Sequence, residues 1–388
     1  MKLKRFPDDF VVTEVCSREV TSGRYALYRL SKRSIATLEA VQILQRSWNL
    51  PPASAAHAGL KDRHAVTSQY ITLKNGPRSG FEHELFTAEY LGQTDTAMTA
   101  HDIAANHFHV VLRSVSDADA ERICSRAAVV AESGYPNYFD RQRFGSLGPS
   151  REFVAEKWCR RDFEQAAWLA LAEHNQHDDA SERHEKQILR DLWNNWPECK
   201  QQLSRSHRRS IVTYLCDHPT GFRKAFALIN ADLRGLYLSA FQSAVWNRML
   251  SALITRSKGG TAEEELDDCV LIGDAELPMS GADHLERDAT MPLPSVRCKG
   301  LDAATRQLVD VALQAYNMTL PEMKISFPRD RWFSKALRPC VVVPENLTAT
   351  RMADDDAVGR TAVSLDFQLP RGCYATMLVK AVTGLSDC

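Results

Sequence analysis

Apolar residues alternate with polar ones near both ends of the chain, and this period of two is typical of half-buried sheet strands. The sequence between them, from about residue 151 onwards, is instead helix-rich and contains several tryptophans. A sheet whose strands come from both ends must hold a large insertion, so we expect an α+β fold. The predicted strands cover residues 10–15, 25–30, 66–73, 107–113 and 363–369, and residues 374–380 are expected to close the sheet after a turn at 370–372.

Apolar residues at helical spacing predict four helices. Thr37 is predicted to cap a helix that ends before Pro51. Ser116 opens a second helix through a capping box, and Gly134 ends it. A further helix is expected at 303–316. The fourth helix is predicted because Leu238, Phe241, Val245 and Met249 lie at helical spacing, and these four residues should form its buried face.

The composition is that of a globular protein. With 388 residues, 44% hydrophobic and 25% charged, the chain can form a large core, and two domains are expected. No apolar run approaches the length of a membrane span, and residues 1–9 lack a signal-peptide core, so we expect a cytoplasmic protein with no membrane segment. The ten cysteines include no Cys-x-x-Cys pair, which favours reduced thiols over disulfides or a zinc ribbon.

One charged turn stands directly before a predicted strand. Residues 58–69 read Ala-Gly-Leu-Lys-Asp-Arg-His-Ala-Val-Thr-Ser-Gln, which places Asp62 on the turn that enters the strand. Lys61 and Arg63 favour the ionised form of Asp62, because a nearby positive charge stabilises a carboxylate. Such a group can act as a nucleophile or a base, and an ordinary solvated turn is the alternative.

A second loop combines groups that suit an exposed nucleobase. Residues 136–145, Pro-Asn-Tyr-Phe-Asp-Arg-Gln-Arg-Phe-Gly, bring an amide, three aromatic rings and two guanidinium groups together. This mixture can hold an unstacked base by stacking and hydrogen bonds while it pairs with phosphates. A packed aromatic cluster would have the same composition, and the residues alone leave both interpretations open.

The formal net charge of −1 is unusual for a nucleic-acid enzyme, because phosphate contacts need clustered Lys and Arg. The charges are grouped along the sequence, although ordinary mixed surface is the alternative. Acidic runs at 263–265, 267–268 and 354–356 are expected to be solvated loops facing away from any RNA. The basic groups are Lys2, Lys4 and Arg5, then Arg29, Lys32 and Arg33, then Arg141 and Arg143, then Arg205, His207, Arg208 and Arg209.

Other polar residues carry weaker signals. Lys32 follows a predicted strand, where a solvated side chain is the ordinary expectation. Glu14 is a polar residue on a strand face, and the pattern assigns it no catalytic role. His107 and His109 share one face of their strand, but two histidines without a third ligand are an incomplete metal site. We therefore expect exposed strand histidines and no metal.

Three motifs in this order resemble those of the TruD family of tRNA pseudouridine synthases. They are Gly-x-Lys-Asp-x-x-Ala-x-Thr-x-Gln at 59–69, Asn-Tyr-Phe-x-x-Gln-Arg-Phe-Gly at 137–145 and Leu-Pro-x-Gly-x-Tyr-Ala-Thr at 369–376. The resemblance implies that Asp62 is the essential aspartate and that Lys32 reaches its carboxylate. It also implies that Asn137 and Phe139 line the uridine pocket, with Phe139 stacking on the base. Asp140 departs from the family, whose members commonly have Gly there.

The resemblance further implies a pseudouridine-synthase mixed β-sheet split by a helix-rich inserted TRUD domain. The expected limits are 1–150 and 332–388 for the catalytic domain and 151–331 for the insertion. The implied reaction is isomerisation of uridine to pseudouridine at position 13 of tRNA, by base flipping and without a cofactor. We expect a monomer whose partner is tRNA. The residues of the insertion expected to contact RNA are Arg205, Arg208 and Arg209.

Two other functional classes remain as alternatives. A non-catalytic RNA-binding or RNA-remodelling protein could use the same cleft, but phosphate binding gains nothing from the carboxylate of the Asp62 motif. A hydrolytic metalloenzyme built on His107 and His109 is the third alternative. The residues also leave open whether Asp62 attacks covalently or takes a proton from the sugar.

Overall fold

The computed structural model describes residues 1–175, 178–259 and 269–384. The protein divides into two compact units, Met1–Tyr135 with Val342–Cys388, and Pro136–Val341. The first unit therefore takes residues from both ends of the chain. The domain limits expected from the sequence, at 150/151 and 331/332, stay a prediction.

Strands and helices follow one another along the described residues. The strands are β1 Lys2–Leu3, β2 Phe10–Cys16, β3 Tyr25–Arg33, β4 Ala55–His57, β5 Val66–Lys74, β6 Phe81–His83, β7 Phe86–Thr94, β8 Ile103–Val115, β9 Tyr135–Pro136, β10 Cys269–Ile272, β11 Ala275–Pro278, β12 Thr290–Pro292, β13 Leu337–Pro339, β14 Val341–Val342, β15 Glu345–Ala353 and β16 Thr361–Pro370. The helices are α1 Thr37–Ser47, α2 Asp117–Ser133, α3 Val154–Cys159, α4 Phe163–Leu171, α5 Ala180–Asp191, α6 Trp196–Gln202, α7 His207–Asp217, α8 Phe222–Leu228, α9 Ala231–Ser257, α10 Ala303–Gln314 and α11 Ala375–Thr383. The five predicted strands are confirmed as parts of β2, β3, β5, β8 and β16.

Ten of the described strands form one mixed sheet in the first unit. Its order is β15-β16-β8-β2-β5-β3-β7-β6, with β1 beside β8 and β4 beside β5. β2 and β5 run parallel, whereas β2 and β8 run antiparallel. β16 pairs with β8, so that Asp366 lies opposite His109. The predicted α+β fold, with a sheet drawn from both ends of the chain, is confirmed.

Alternation along the strands brings apolar side chains to one face of this sheet. Phe10, Val110 and Leu365 lie side by side on β2, β8 and β16, and all three are buried. Helix α2 contacts β15, β16 and α11, which covers this part of the sheet. Tyr28 and Ile71 on neighbouring strands belong to a second buried cluster that includes residues of α1. Removing these apolar surfaces from water is the main stabilising contribution to the unit.

The expectation that residues 374–380 close the sheet is wrong, because Ala375–Thr383 forms helix α11. Gly372 turns the chain before it with a φ of 85°, a left-handed conformation that favours glycine. Met377, Leu378 and Val382 are buried in the helix. A short apolar run is compatible with either a buried strand or a buried helix, and here packing against α2 decides for the helix.

The predicted N-cap Ser116 and the predicted stop at Gly134 are confirmed for α2, but the predicted N-cap of α1 is not. The Ser116 hydroxyl accepts a hydrogen bond from Asp119 N, and Gly134 ends α2 with a φ of 80°. Helix α1 has Ala36 as its N-cap, so the prediction that Thr37 caps this helix is wrong. The Thr37 hydroxyl instead donates a hydrogen bond to Gln69 of strand β5.

The second unit contains α9, a helix of 27 residues. Leu238, Phe241, Val245 and Met249 of this helix are at most 2% exposed, which confirms the predicted buried face. Helices α3 and α10 pack against it. The helix predicted at 303–316 is confirmed as α10, which ends at Gln314. Among the residues described in either unit, no helix is both long and apolar enough to cross a lipid bilayer.

Candidate active site

Asp62 lies in the loop between β4 and β5, as the sequence predicts, and its side chain is 38% exposed. Buried Gln69 of β5 holds this loop in place, because its Nε2 donates to Gly59 O at 3.2 Å. The Thr37 hydroxyl donates to Gln69 Oε1 at 2.7 Å and accepts from Lys61 N at 3.1 Å. Two buried polar side chains therefore fix the backbone on both sides of Leu60 and leave the Asp62 carboxylate accessible.

Lys4 is the cation that contacts the Asp62 carboxylate, through Nζ and Oδ2. Its ammonium group also lies 3.9 Å from the centroid of the Phe10 ring. Lys4 directly follows β1, in which Lys2 pairs with Arg113 of β8. Sequence reasoning did not assign this role to Lys4, because 58 positions separate it from Asp62 and no local pattern links the two.

Lys32 reaches the same loop from β3, but its contact differs from the predicted one. Its Nζ donates to the backbone oxygen of Asp62 at 2.7 Å and lies 3.5 Å from Lys61 O, whereas the carboxylate is contacted by Lys4. Burial lowers the pKa of Lys32 to about 8, and attraction to Asp62 only partly opposes this effect. Lys32 therefore orients Asp62 through the backbone.

Glu14, to which the sequence pattern assigns no role, holds the residue next to Asp62. Its carboxylate is 1% exposed, forms an ion pair of 2.9 Å with Lys61 Nζ, and accepts from Tyr70 N at 2.8 Å. Lys61 also donates to Asn106 Oδ1 at 2.6 Å. A buried charge needs such partners, so Glu14 and Lys61 stabilise each other. The available sequence signal was the alternation that places Glu14 on the same strand face as apolar β2 residues.

Phe139 is packed inside the second unit and is 7% exposed. The Asn247 side chain holds its backbone, accepting from Phe139 N at 2.8 Å and donating to Phe139 O at 2.9 Å. The Arg338 guanidinium lies 4.0 Å from the ring centroid, and the Trp246 ring meets it edge-on at 5.7 Å. This is the packed aromatic cluster that the sequence left as an alternative. Stacking of Phe139 on a uridine stays a prediction.

Asn137 is also buried, and its side-chain amide is hydrogen-bonded on both sides. Its Nδ2 donates to Pro339 O at 2.9 Å, and its Oδ1 accepts from Arg338 Nη2 at 2.7 Å. Asp140, where the family commonly has Gly, accepts from Arg141 N at 2.7 Å and caps the short 3₁₀ helix Arg141–Phe144. The departure at Asp140 therefore has a local structural role, while uridine contact by Asn137 stays a prediction.

The arginines predicted to contact RNA stand at the start of α7. Arg205 is exposed. Arg208 is paired with Glu185 at 3.2 Å and lies 3.8 Å from Glu182, so carboxylates already compensate its charge. Arg209 Nε donates to a backbone oxygen, that of Lys200, at 3.1 Å. These different environments leave RNA contact by the three arginines a prediction, with Arg205 the most accessible of them.

The acidic run 354–356 is only partly the solvated loop that the sequence predicts, because Asp355 and Asp356 are exposed but Asp354 is buried. Asp354 is 7% exposed, and its carboxylate accepts from Ser114 N at 2.6 Å and from Arg113 Nη1 at 3.1 Å. Arg113 Nε also donates to Asp9 at 2.7 Å. The expectation is wrong for Asp354 because its charge is needed to balance Arg113. The runs 263–265 and 267–268 lie outside the described residues.

His107 and His109 lie on β8, and His109 has a carboxylate partner. Its Nδ1 is 3.0 Å from Asp366 Oδ1 of the adjacent strand β16. In the three ranges that the structure describes, no group of three or more His, Cys, Asp or Glu side chains is placed to hold a metal ion. This geometry does not support the metalloenzyme alternative, and the absence of a metal stays a prediction.

The residues predicted to be catalytic or to contact the uridine thus belong to two groups. Asp62 and Lys32 come together in the first unit, where Lys4 joins them. Asn137 and Phe139 come together in the second unit, around Arg338. Each group is assembled from chain segments that are far apart in sequence.

Comparisons with known proteins identify the class and the family. A family model described as tRNA pseudouridine synthase D (TruD) matches residues 1–382. The chain therefore belongs to the TruD family. A tRNA pseudouridine synthase D from Aquifex aeolicus is 26% identical over 98% of this chain and 97% of that protein. One from Leptospira interrogans is 24% identical over 97% of this chain and 95% of that protein.

A solved structure shows that the fold is also similar. The crystal structure of a TruD protein from Methanosarcina mazei aligns with a TM-score of 0.72 at 22% identity, over 99% of this chain and 93% of that one. The likeness extends across both units, so the split sheet and the helix-rich block both have a counterpart in a known fold.

Proposed function

We propose that this protein isomerises uridine to pseudouridine in tRNA, at position 13, with Asp62 as the essential group. The observation that carries the proposal is the Asp62 loop, in which buried side chains hold the backbone and the accessible carboxylate contacts Lys4. The first of the three motifs by which the chain resembles its family begins in this loop, and the family model covers nearly the whole chain.

The reaction breaks the bond between ribose C1′ and uracil N1 and forms a bond between C1′ and C5. The nucleotide must first leave the base stack, which costs a few kcal/mol, because both the sugar and the base have to be reached. Asp62 then either attacks C1′ or the base, or takes a proton from the sugar. The detached base turns before C5 bonds to C1′. C5 loses its proton and N1 gains one, so the product is an isomer of the substrate.

The groups around Asp62 support either route. Lys4 stabilises the ionised carboxylate by direct contact, since charge-assisted hydrogen bonds are the stronger ones. Lys32 binds the backbone oxygen of Asp62, and Glu14 holds Lys61 beside it. Such supporting contacts keep a reactive group in the productive geometry, where small displacements are costly.

The proposal extends to the substrate contacts and the cellular setting. Asn137 and Phe139 contact the flipped uridine, and a flat ring such as that of Phe139 lets the base rotate while it is retained. The protein acts as a cytoplasmic monomer on tRNA and uses no cofactor. The phosphate contacts of the second unit include Arg205, Arg208 and Arg209.

The test is to map pseudouridine in an unmodified tRNA transcript after incubation with the protein. The wild-type chain is expected to convert position 13, and Asp62→Asn to convert none while it binds tRNA with similar affinity. Asp8→Asn, which changes an exposed carboxylate of the same unit, is the matched control and should remain active. Turnover by Asp62→Asn, or no pseudouridine from the wild type, contradicts the proposal.

A further inference from the structure

Two neighbouring segments of the second unit concentrate positive charge in a chain whose net charge is −1. Residues 291–300 and 331–340 contain no Asp or Glu, and we call them the basic ribbon. They are joined because β12 and β13 pair antiparallel, with Pro292 opposite Leu337. The five cations of the basic ribbon are Arg297, Lys299, Arg331, Lys335 and Arg338, of which Arg331 is ion-paired with Asp232 of α9.

The basic ribbon is anchored to α9 by one buried amide. Gln242 Nε2 donates to Pro294 O at 3.0 Å and to Ser334 O at 2.9 Å, and its Oε1 accepts from Ser334 N at 3.1 Å. Leu293 N also donates to Ala336 O at 2.9 Å, which ties the two segments to each other. The ribbon therefore has a defined backbone although much of it carries exposed side chains.

Trp332 projects from the basic ribbon and is 61% exposed. Its chain neighbours are held firmly on both sides. Asp330 forms two hydrogen bonds of 2.8 and 2.7 Å with buried Arg234, and Arg331 Nε donates to a backbone oxygen of α9 at 3.0 Å. Phe333 is 4% exposed. A large aromatic ring is thus presented to solvent from a fixed backbone, which keeps the entropic cost of binding low.

The basic ribbon also leads directly to the candidate uridine pocket. Arg338 belongs to β13, and its guanidinium lies 4.0 Å from the centroid of the Phe139 ring while donating to Asn137 Oδ1 at 2.7 Å. The segment that carries Trp332 therefore continues, within a few residues, into the side chains around Asn137 and Phe139. Arg297, Lys299 and Lys335 are exposed along it.

We propose that the basic ribbon is a binding surface for the tRNA substrate, on which Trp332 stacks with an unstacked base and the exposed cations contact phosphates. The choice of tRNA rests on the proposed function. Three exposed cations beside an exposed ring are the combination that single-stranded nucleic acid requires, because every base has a face to stack and every phosphate a charge to pair. A protein partner gains little from the three exposed like charges, which must be desolvated or left at the rim.

The test measures tRNA dissociation constants in the Asp62→Asn background, which leaves the RNA unmodified. Trp332→Ala is expected to weaken binding about 5- to 150-fold, which corresponds to the loss of one base stack. Trp332→Phe keeps a ring face and should retain most of the affinity. Arg297→Gln combined with Lys335→Gln should lower the slope of log affinity against log salt by about 0.7–0.9 for each lost phosphate contact.

Two matched controls separate this surface from the rest of the protein. Val358→Ala removes another highly exposed apolar side chain, and Arg306→Gln removes an exposed arginine from α10; both should bind like the background. All variants should unfold at the same midpoint, because the changed side chains are exposed. Unchanged affinity of Trp332→Ala overturns the inference and would fit a protein partner at this surface, and an equal loss in Trp332→Phe overturns base stacking.

Failure of this inference and failure of the proposed function give different results. Pseudouridine formed by the wild type together with unchanged affinity of Trp332→Ala overturns only the role of the basic ribbon. No pseudouridine from the wild type, together with tRNA affinity that depends on Trp332, overturns the proposed reaction and supports the surface.

Discussion

Lys4 and Asp62 form an ion pair in which both side chains are partly exposed, at 24% and 38%. Exposed pairs contribute only about 0–1 kcal/mol to folding, because water screens them. The value of this pair therefore lies in orienting the carboxylate. The neighbouring cations Lys32 and Lys61 are more buried, and they act on the backbone and on Glu14.

Replacing Lys4 should therefore affect turnover more than stability. We expect Lys4→Met to lower kcat by up to about 100-fold, because a carboxylate displaced by an ångström loses alignment with its target. The free energy of unfolding should change by less than about 1 kcal/mol. Lys2→Met changes an exposed lysine of β1, the short strand that Lys4 follows, and is the control for kinetics and denaturant unfolding. Equal kcat values for the two variants would show that Lys4 does not orient Asp62.

The lowered pKa of Lys32 predicts a change in activity at mildly alkaline pH. Its pKa is lowered to about 8 by burial, so the charged form prevails below pH 8 and is lost as pH rises through that value. If the charge supports the ionised Asp62, kcat/KM should fall above about pH 8. Lys32→Arg keeps its charge there, because a guanidinium stays protonated. The alkaline decline should therefore move to higher pH in this variant, and an unmoved decline would assign it to another group.

Phe139 can be tested without emptying its site. Phe139→Leu keeps most of the apolar volume but removes the flat ring that a flipped uridine would stack on. We expect kcat/KM to fall about 5- to 150-fold from the lost stacking. Phe153→Leu, at a similarly buried ring of the same unit, controls for packing. If both variants lose activity and unfolding free energy in parallel, Phe139 acts through the fold alone.

At the scale of elements, the N-terminal segment is tied to the sheet by a buried charge cluster. Arg113 of β8 binds Asp9 at 2.7 Å and Asp354 at 3.1 Å, and both carboxylate side chains are at most 1% exposed. Strand β1 pairs with β8 in the same region, and in the backbone register of the two strands Lys2 lies opposite Arg113. The cluster therefore holds together the segment that carries Lys4, the central strand and the loop after β15.

This cluster predicts a large loss of stability on removing its one central cation. Arg113→Met leaves two buried carboxylates without their partner, so the free energy of unfolding should drop by about 3–5 kcal/mol. Arg351→Met removes a cation of β15 from an exposed pair with Asp117 and should cost no more than about 1 kcal/mol. Denaturant unfolding measures both. A loss below about 1 kcal/mol for Arg113→Met would show that the cluster does not stabilise the sheet.

For the whole molecule, the main chemical expectation is a reaction without a metal. Within the described residues no group of three potential metal ligands is assembled, and His109 is engaged with Asp366. Pseudouridine formation should survive exhaustive chelation, because the proposed chemistry uses only a carboxylate and cations. The readout is pseudouridine content before and after chelation. Loss of activity that added zinc restores would require a metal site and return attention to His107 and His109.

Charge on the scale of the molecule also has an explanation in the fold. A net charge of −1 is spread unevenly: the basic ribbon exposes Arg297, Lys299 and Lys335, whereas Asp354 is buried against Arg113. Acidic residues that balance the total are therefore partly internal. A run of like charges in the sequence is a poor guide to a charged surface, because the ion-pair partner can come from another helix. Arg208 of α7, for example, pairs with Glu185 of α5.

Local patterns were enough to predict five strands of the large sheet, the helices α1, α2, α9 and α10, and the position of Asp62. Alternation and helical spacing record which side of an element is buried, and this depends on near neighbours in the chain. The turn before β5 and the buried face of α9 were predicted for that reason. Ala375–Thr383 was mistaken for a strand because a short, wholly apolar run has no period to distinguish the two.

Tertiary structure alone decided which side chains meet Asp62. The sequence places Asp62 on a turn, but the register of β1 on β8 brings Lys4 to its carboxylate, and the position of β2 in the sheet brings Glu14 to Lys61. Tertiary structure also decided that Trp332 is exposed on a fixed backbone. The residue that holds this backbone, Gln242, binds Ser334 from a helix far away in the chain. Contacts between distant segments depend on strand pairing and packing, which no local propensity encodes.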